Sequence, residues 1–416
     1  VAHVIPEDED LHLKTTQADF LAWHYRLGHL SFQKIRQMAA RGDLPAAFRD
    51  CRIPKCAACI FGKARKRAWR SKAPVNRMKT PPVTAPGSVV AIDQMISAVP
   101  GFIAQMRGFI TGKRYKVITV FVDQFSDLSF VYTQKSTTAE ETVQAKEAFE
   151  RFAKAHQVVI NHYHADNGIF AEAEFLRAIE KANQTISFCG VNAHHMNGHA
   201  EKRIRDLQEN ARSMLLHAKR RWPSAVTVNL WPYAVRMAND VHNFAPSIKE
   251  GISPIERFSQ VQVSPKVRHS HTFGCPVYVL DGRLQAGKRL PKWDNRARIG
   301  LFLGWSPRHS RKVALILNLI TGHVSPQFHV EFDDMFETMR PSAGNSPPLS
   351  TWQQKAGFLD AEKESRSKTQ STVQANQRDA TPTEKHASGQ ESNQDERHAG
   401  DDPSEIDKSF EQGEIP

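Results

Sequence analysis

The stretch 161–214 constrains this chain more than any other, because it sets two carboxylates in the two local settings that metal-assisted phosphoryl chemistry uses. Residues 158–165 are β-branched and aromatic and break at Asp166-Asn167-Gly168, so they read as a strand with Asp166 at its carboxyl end. Asn197-Gly198 is a turn and helix start, after which Ala200, Ile204, Leu207, Ala211, Met214, Leu215 and Ala218 recur at spacings of three and four, the buried stripe of a helix. Glu201, Arg205, Gln208 and Arg212 fall on a neighbouring face, so one helix offers a carboxylate to a metal and basic or polar groups to an anion beside it.

A length of 416 residues predicts two or three domains. No run of about 18 apolar residues is present to span a bilayer, and the first ten residues lack the basic and apolar regions of a secretory signal. The chain starts with Val1, which suggests a piece excised from something longer. Five cysteines, two of them in a C-x2-C, suit metal-bound thiolates in a reducing, intracellular compartment better than a disulfide framework. The net charge is +12, but residues 341–416 hold 8 Lys/Arg against 14 Asp/Glu, which leaves +18 on residues 1–340. A surface so basic favours a polyanionic partner.

The pattern along the chain divides into a leader (1–19), a compact unit (20–72), a Pro-rich linker (73–86), an α/β region (87–222), a helical extension (223–265), a run of short strands (266–340) and a polar tail expected to be disordered (341–416). Within the α/β region a first strand ends at Asp93, segments 115–122 and 128–132 form a hairpin, and 138–155 is a helix with Glu140 and Glu141 in its first turn. Segments 273–280, 297–305, 313–319 and 323–332 read as strands of a small antiparallel barrel of SH3-like type.

In the compact unit, His24-x4-His29 and Cys56-x2-Cys59 supply two imidazoles and two thiolates, one tetrahedral zinc set. A unit of this size is small enough for a metal to stand in for part of a core. Cys51 is a rival ligand that ranks below the Cys56/Cys59 pair. The basic run that follows includes Lys63, Arg65, Lys66 and Arg67, candidates for contact with nucleic acid, as are Lys202 and Arg205 on the later helix. Asp123, in the hairpin turn with Asp127, competes with Asp93 for a catalytic role, although Asp in such turns more often bonds the backbone.

The chain carries the motifs Trp23-His24-x-Arg26-Leu27-Gly28-His29, Cys56-x2-Cys59, Gly62-Lys63-Ala64-Arg65, Phe121-Val122-Asp123-Gln124-Phe125-Ser126, His164-Ala165-Asp166-Asn167-Gly168, Asn197-Gly198-His199-Ala200-Glu201-Lys202, Phe273-Gly274-Cys275 and Leu301-Phe302-Leu303-Gly304-Trp305. Together they resemble the integrase segment of copia-type long-terminal-repeat retrotransposon polyproteins. The resemblance runs through most of residues 20–340 and implies an α/β, RNase H-like mixed sheet with flanking helices, preceded by a small helical zinc-binding domain and followed by an SH3-like barrel and a disordered tail. It implies that Asp93, Asp166 and Glu201 are a catalytic triad holding two Mg2+ or Mn2+ ions, and that His24, His29, Cys56 and Cys59 hold one structural Zn2+. Residues 193–196, Ala-His-His-Met, stand where the family has Pro-Gln-Gln, Lys202 stands where Arg is usual, and 34 residues separate Asp166 from Glu201, one fewer than the family's nominal spacing.

Three functions follow. The first is a DNA-joining recombinase in which a 3′-hydroxyl attacks a target phosphodiester, with or without prior trimming of the DNA end. The second is an RNase H-like nuclease that uses the same carboxylates and water, and the third is a catalytically silent nucleic-acid-binding protein. The resemblance further implies double-stranded DNA as partner (element ends and target), a homo-oligomer, no membrane, and action in a cytoplasmic particle and the nucleus.

Overall fold

The computed structural model describes residues 15–66, 83–104, 112–190, 197–263, 267–310, 312–339 and 350–358. Three helices open it: α1 (Thr15–Arg26), α2 (Phe32–Arg41) and α3 (Ala57–Gly62). The first helix begins five residues before the expected start at Phe20. Ser31 caps α2 by accepting from Lys34 N, and Gly42 ends it in the left-handed region, its N–H returning to Met38 O and Ala39 O.

The central region runs β1 (Val90–Gly101), β2 (Tyr115–Asp123), β3 (Ser129–Gln134), α4 (Ala139–Ala155), β4 (His162–Ala165), α5 (Ala173–Lys181), β5 (Thr185–Phe188) and α6 (Gly198–Arg221). Its sheet has the order β3-β2-β1-β4-β5. Strand β2 is antiparallel to both its neighbours, β1 and β3, whereas β4 pairs parallel with β1 and β5 parallel with β4. This is the RNase H-like mixed sheet. Alternate residues of β1 divide the interior in two: Val90 and Ile92 join the aromatic cluster of Phe121, Phe149, Tyr163 and Phe175 under α4 and α5, while Ala91 and Met95 face α6.

One strand differs from the expectation. The first strand does not end at Asp93 but continues to Gly101, because β2 stays paired with it beyond that point, from Asp93↔Val120 through Ile96↔Val117 to Gly101↔Tyr115. What ends at Asp93 is the neighbour on the other side, since β4 pairs only as far as Ile92↔Ala165.

Helices α7 (Trp231–Phe244) and α8 (Pro254–Ser259) follow, α7 packing on α6, β3 and a later strand, β7. Ser253 and Glu256 form a reciprocal capping box on α8. The remaining strands are β6 (Pro276–Leu280), β7 (Ala297–Trp305), β8 (Ala314–Asn318), β9 (Val324–Gln327) and β10 (Val330–Phe332), with a short helix α9 (Gly282–Gln285) between the first two. They form a second, antiparallel sheet in the order β10-β6-β7-β8-β9, the last strand returning beside the first as in an SH3-like barrel.

The expected tail holds an ordered piece. Residues 350–358 include helix α10 (Trp352–Lys355), and Trp352 is fully buried against Phe102, its indole Nε1 donating to Ala225 O at 2.9 Å. Thr351 N and Trp352 N both donate to Leu319 O of the second sheet, and Arg114 of the first donates to Ala356 O and lies 4.6 Å over the Phe358 ring. A composition poor in large apolar residues concealed it, because two aromatics suffice once a groove is waiting. The rest of the tail lies outside the described residues.

Candidate active site and metal centre

Asp93 and Asp166 are neighbours by register. The parallel pairs Ala91↔His164 and Ile92↔Ala165 lead directly to these two residues, on strands that lie about 4.8 Å apart. Each carboxylate is set by its own backbone: Asp93 Oδ1 accepts from Gln94 N and Asp166 Oδ1 from Asn167 N, both at 2.7 Å. Asn167 also donates from Nδ2 to Cys189 O at 3.1 Å, which fixes the turn after β4 against the end of β5.

Glu201 arrives from helix α6. Asn197, expected as the start of that helix, makes no side-chain cap; its buried amide instead donates to Ile92 O at 2.9 Å. The first turn of α6 is thereby pinned to the residue before Asp93, and Glu201 lies one turn further on. All three carboxylates are partly exposed, as groups meant to meet a ligand must be.

Beneath them lies Cys189, whose thiol is pushed up first by burial and then by the negative charges of Asp166, Glu201 and Asp93 together. His164, two residues before Asp166 and so on the same strand face, brings Nε2 to 3.6 Å from Cys189 Sγ and Nδ1 to 2.9 Å from Ser187 Oγ. Sequence reasoning missed this floor, although the alternation along β4 that puts His164 and Asp166 on one side was there to be read. The residues suit hard divalent cations, being oxygen donors of the right charge. Among the described residues they are nevertheless less tightly gathered than the His/Cys set, as expected of three like charges.

Asp123 is structural. It is fully buried, accepting from Gly87 N at 2.8 Å, from Ser126 N at 2.8 Å and from Ser126 Oγ at 2.6 Å. These bonds close the β2–β3 turn and leave it no path to a substrate.

The four expected zinc ligands do meet. His24 Nε2, His29 Nδ1, Cys56 Sγ and Cys59 Sγ lie within 4.8 Å of one another. The closest pairs are 3.2 Å (His24–His29), 3.3 Å (His24–Cys59) and 3.5 Å (His29 with each cysteine). A tetrahedral ion about 2.0–2.3 Å from each ligand leaves roughly 3.3–3.8 Å between them, close to the separations of these four pairs. Leu30 O lies 2.8 Å from His24 Nδ1 and, as an acceptor, puts the proton there and turns the Nε2 lone pair inward.

The chain returns His29 to this set through two consecutive left-handed residues, Gly28 (φ +58) and His29 (φ +60). A Cβ at Gly28 would also crowd Met214 Sδ of α6, at 3.1 Å. Burial lowers the His29 imidazole to about 4, which keeps it neutral and free to ligate. The Cys59 thiol is held well below its ordinary range, first by Cys56 and then by the two histidines. Cys51 is not among the converging atoms.

The basic candidates divide. Lys63 Nζ donates to His29 O at 2.8 Å and to Asn210 Oδ1 at 2.7 Å, and Arg65 makes a two-pronged pair with Glu209 at 2.6 Å, so both are spent on holding the small unit to α6. Lys66, Lys202 and Arg205 are exposed. Arg67 and the loop 193–196 lie outside the described residues. Arg203, beside Lys202, is buried and paired with Asp127 at 2.7 Å and with His242 Nδ1 at 2.8 Å.

Residues 6–64 match the GAG-pre-integrase domain family. Over 327 residues, 77% of its length, the chain is 25% identical to the retrovirus-related Pol polyprotein from transposon RE2 of Arabidopsis thaliana. The chain resembles a retrotransposon integrase segment. It spans about a fifth (20%) of that curated relative. Solved structures similar to this integrase-like chain include the HTLV-2 integrase catalytic core domain in complex with magnesium (18% identity, 42% of this chain and 97% of that one, TM-score 0.29) and the BIV integrase catalytic core domain (17%, 42% and 95%, TM-score 0.29). With scores this low, the RNase H-like assignment rests on strand order and register. No helix among the described residues is long and apolar enough to cross a membrane.

Proposed function

We propose that the chain is a copia-type integrase that joins DNA, a 3′-hydroxyl end attacking a target phosphodiester in line at Asp93, Asp166 and Glu201, with trimming of that end as a possible prior step. The observation that carries this reading is the register of β1 and β4, which sets Asp93 beside Asp166, together with the Asn197 bond that ties the helix of Glu201 to the same strand. Two Mg2+ or Mn2+ ions held by the triad would supply charge at the attacking and leaving oxygens. The protein's part is to fix those carboxylates by backbone hydrogen bonds, so that little reorganisation is needed during reaction. Duplex DNA, both element end and target, is the substrate, and exposed Lys66, Lys202 and Arg205 are available to its phosphates. The His/Cys set takes one structural Zn2+. The active form is a homo-oligomer that works in a cytoplasmic particle and then the nucleus.

The test is strand transfer with the full chain, an oligonucleotide carrying a free 3′-hydroxyl, plasmid target and Mg2+. Joined product is expected, with Asp166→Asn and Glu201→Gln each below about one hundredth of it, a barrier raised by at least roughly 2.7 kcal/mol. Cleavage without joining would leave a hydrolytic nuclease. DNA binding with no reaction, unchanged in Glu201→Gln, would leave a silent binding protein.

A further inference from the structure

We infer that His217, on the helix that carries Glu201, accepts a hydrogen bond from His29 when that imidazole holds a metal ion, so that the His/Cys centre and the catalytic helix form one mechanical unit. The inference rests on the zinc reading above.

His29 turns Nδ1 to the ligand set, and an imidazole bound through one nitrogen carries its proton on the other, which normally goes to an acceptor. His29 Nε2 is buried and has no hydrogen-bond partner among the described residues. Facing it edge-on, with ring centres 5.2 Å apart and planes at 88°, is His217, which is itself buried and whose Nδ1 also has no hydrogen-bond partner among them. One unsatisfied donor and one unsatisfied acceptor in ring contact satisfy each other after a modest turn of the His217 ring, and burial makes leaving both unpaired costly. A tilted ring contact with Tyr25, centroids 4.0 Å apart, keeps His217 at this wall.

The same stripe of α6 is gripped elsewhere by the small unit. Lys63 bridges His29 O to Asn210, and Arg212 Nη1 donates to Gly62 O at 2.9 Å. Gly62 passes so close that a Cβ there would lie 2.5 Å from Ser213 Oγ. Residues 210, 213 and 217 follow one another at spacings of three and four, a single helix face. His217 adds to this grip the one contact that depends on the metal, since only ligation fixes which His29 nitrogen bears the proton. His217 is thus a positioning residue for His29 and, through α6, for Glu201.

The experiment uses the zinc-loaded full chain and two variants, His217→Phe, which removes the acceptor, and His217→Asn, whose amide oxygen replaces Nδ1. Zinc affinity is measured by competition with a chromogenic chelator, and hydrogen exchange in α6 is followed with and without the metal. The expected result is about ten- to a hundredfold weaker zinc binding in His217→Phe, recovery to within about threefold in His217→Asn, and faster exchange at residues 209–218 of the wild type when zinc is withdrawn, with α5 unchanged. Zinc held by His217→Phe as tightly as by the wild type overturns the inference while leaving the zinc reading intact. A wild-type chain that takes no zinc overturns both. Should His217→Phe not fold, the exchange comparison on the wild type decides: exchange in α6 indifferent to zinc sinks the coupling.

Discussion

Asn197 holds the helix of Glu201 to the strand of Asp93 through one hydrogen bond, donated by its side-chain amide to Ile92 O. Asn197→Ala is therefore expected to lower strand transfer at least about tenfold for a stability loss of roughly 1–3 kcal/mol, and Asn197→Asp to do worse, since a carboxylate oxygen would then face a carbonyl. Urea denaturation alongside the joining assay checks both; equal activity in all three proteins would mean that Glu201 is positioned by something else. Glu256 gives a pH prediction. Burial opposes its ionisation, but Arg41 and the Ser253 backbone and hydroxyl outweigh this and hold the carboxyl at about 2. A depressed folded-state value means that the unfolded chain binds more protons, so this contribution is complete above about pH 4.5 and is lost as pH falls toward 2. Glu256→Gln should flatten that part of the stability profile, measured by denaturant midpoint against pH. Residue types were legible in the sequence wherever spacing carried meaning, as with His24, His29, Cys56 and Cys59. Lys63 and Arg65 were not, because whether a cation is spent on Asn210 or Glu209 depends on what the fold sets opposite it.

Between elements, distance of approach decides more than composition. Helix α3 reaches α6 only because Gly62 has no side chain. Gly62→Ala should cost about 1–3 kcal/mol by forcing the two apart, and Ser213→Gly should recover part of the loss, the part due to the 2.5 Å contact with Oγ but not the 3.2 Å contact with the Ser213 backbone. Thermal or chemical denaturation of the single and double variants tests this; full additivity would mean that the two residues do not meet. Helices α4 and α6 and strands β2 and β7 were visible as patterned runs; the end of β4 at Ala165 was too, although the strand expected over 158–165 begins only at His162. The far half of β1 was not, since Ser97, Ala98 and Pro100 are weak strand formers and continue the strand only because β2 lies alongside.

At the scale of the molecule, residues that read as separate units share one interior. A single buried cluster takes in Phe20 and Phe48 of the small unit, Ala91 and Ile118 of the mixed sheet, Ala234 of α7, Val277 and Phe302 of the second sheet, and Trp352 and Phe358 beyond it. Trp352→Ala should therefore cost about 3–5 kcal/mol, and a chain ending at 349 should melt at lower temperature than one ending at 358. Identical melting of the two would show that the segment adds nothing. No composition argument could have found this, since each unit looks complete when its own stretch is read alone.

Arg26, at the end of α1, is clamped 2.6 Å from the buried Asp334, 308 positions along the chain, and that carboxylate also receives Thr272 N and lies against His271. During synthesis this ion pair thus closes only once residue 334 has emerged, although α1 meets α2 and Phe48 long before. A contact spanning that much sequence makes assembly slow, and the half-made chain displays the apolar faces of α6 and α7 meanwhile. Yield of folded protein should depend on chaperone supply more than on the stability of the finished molecule.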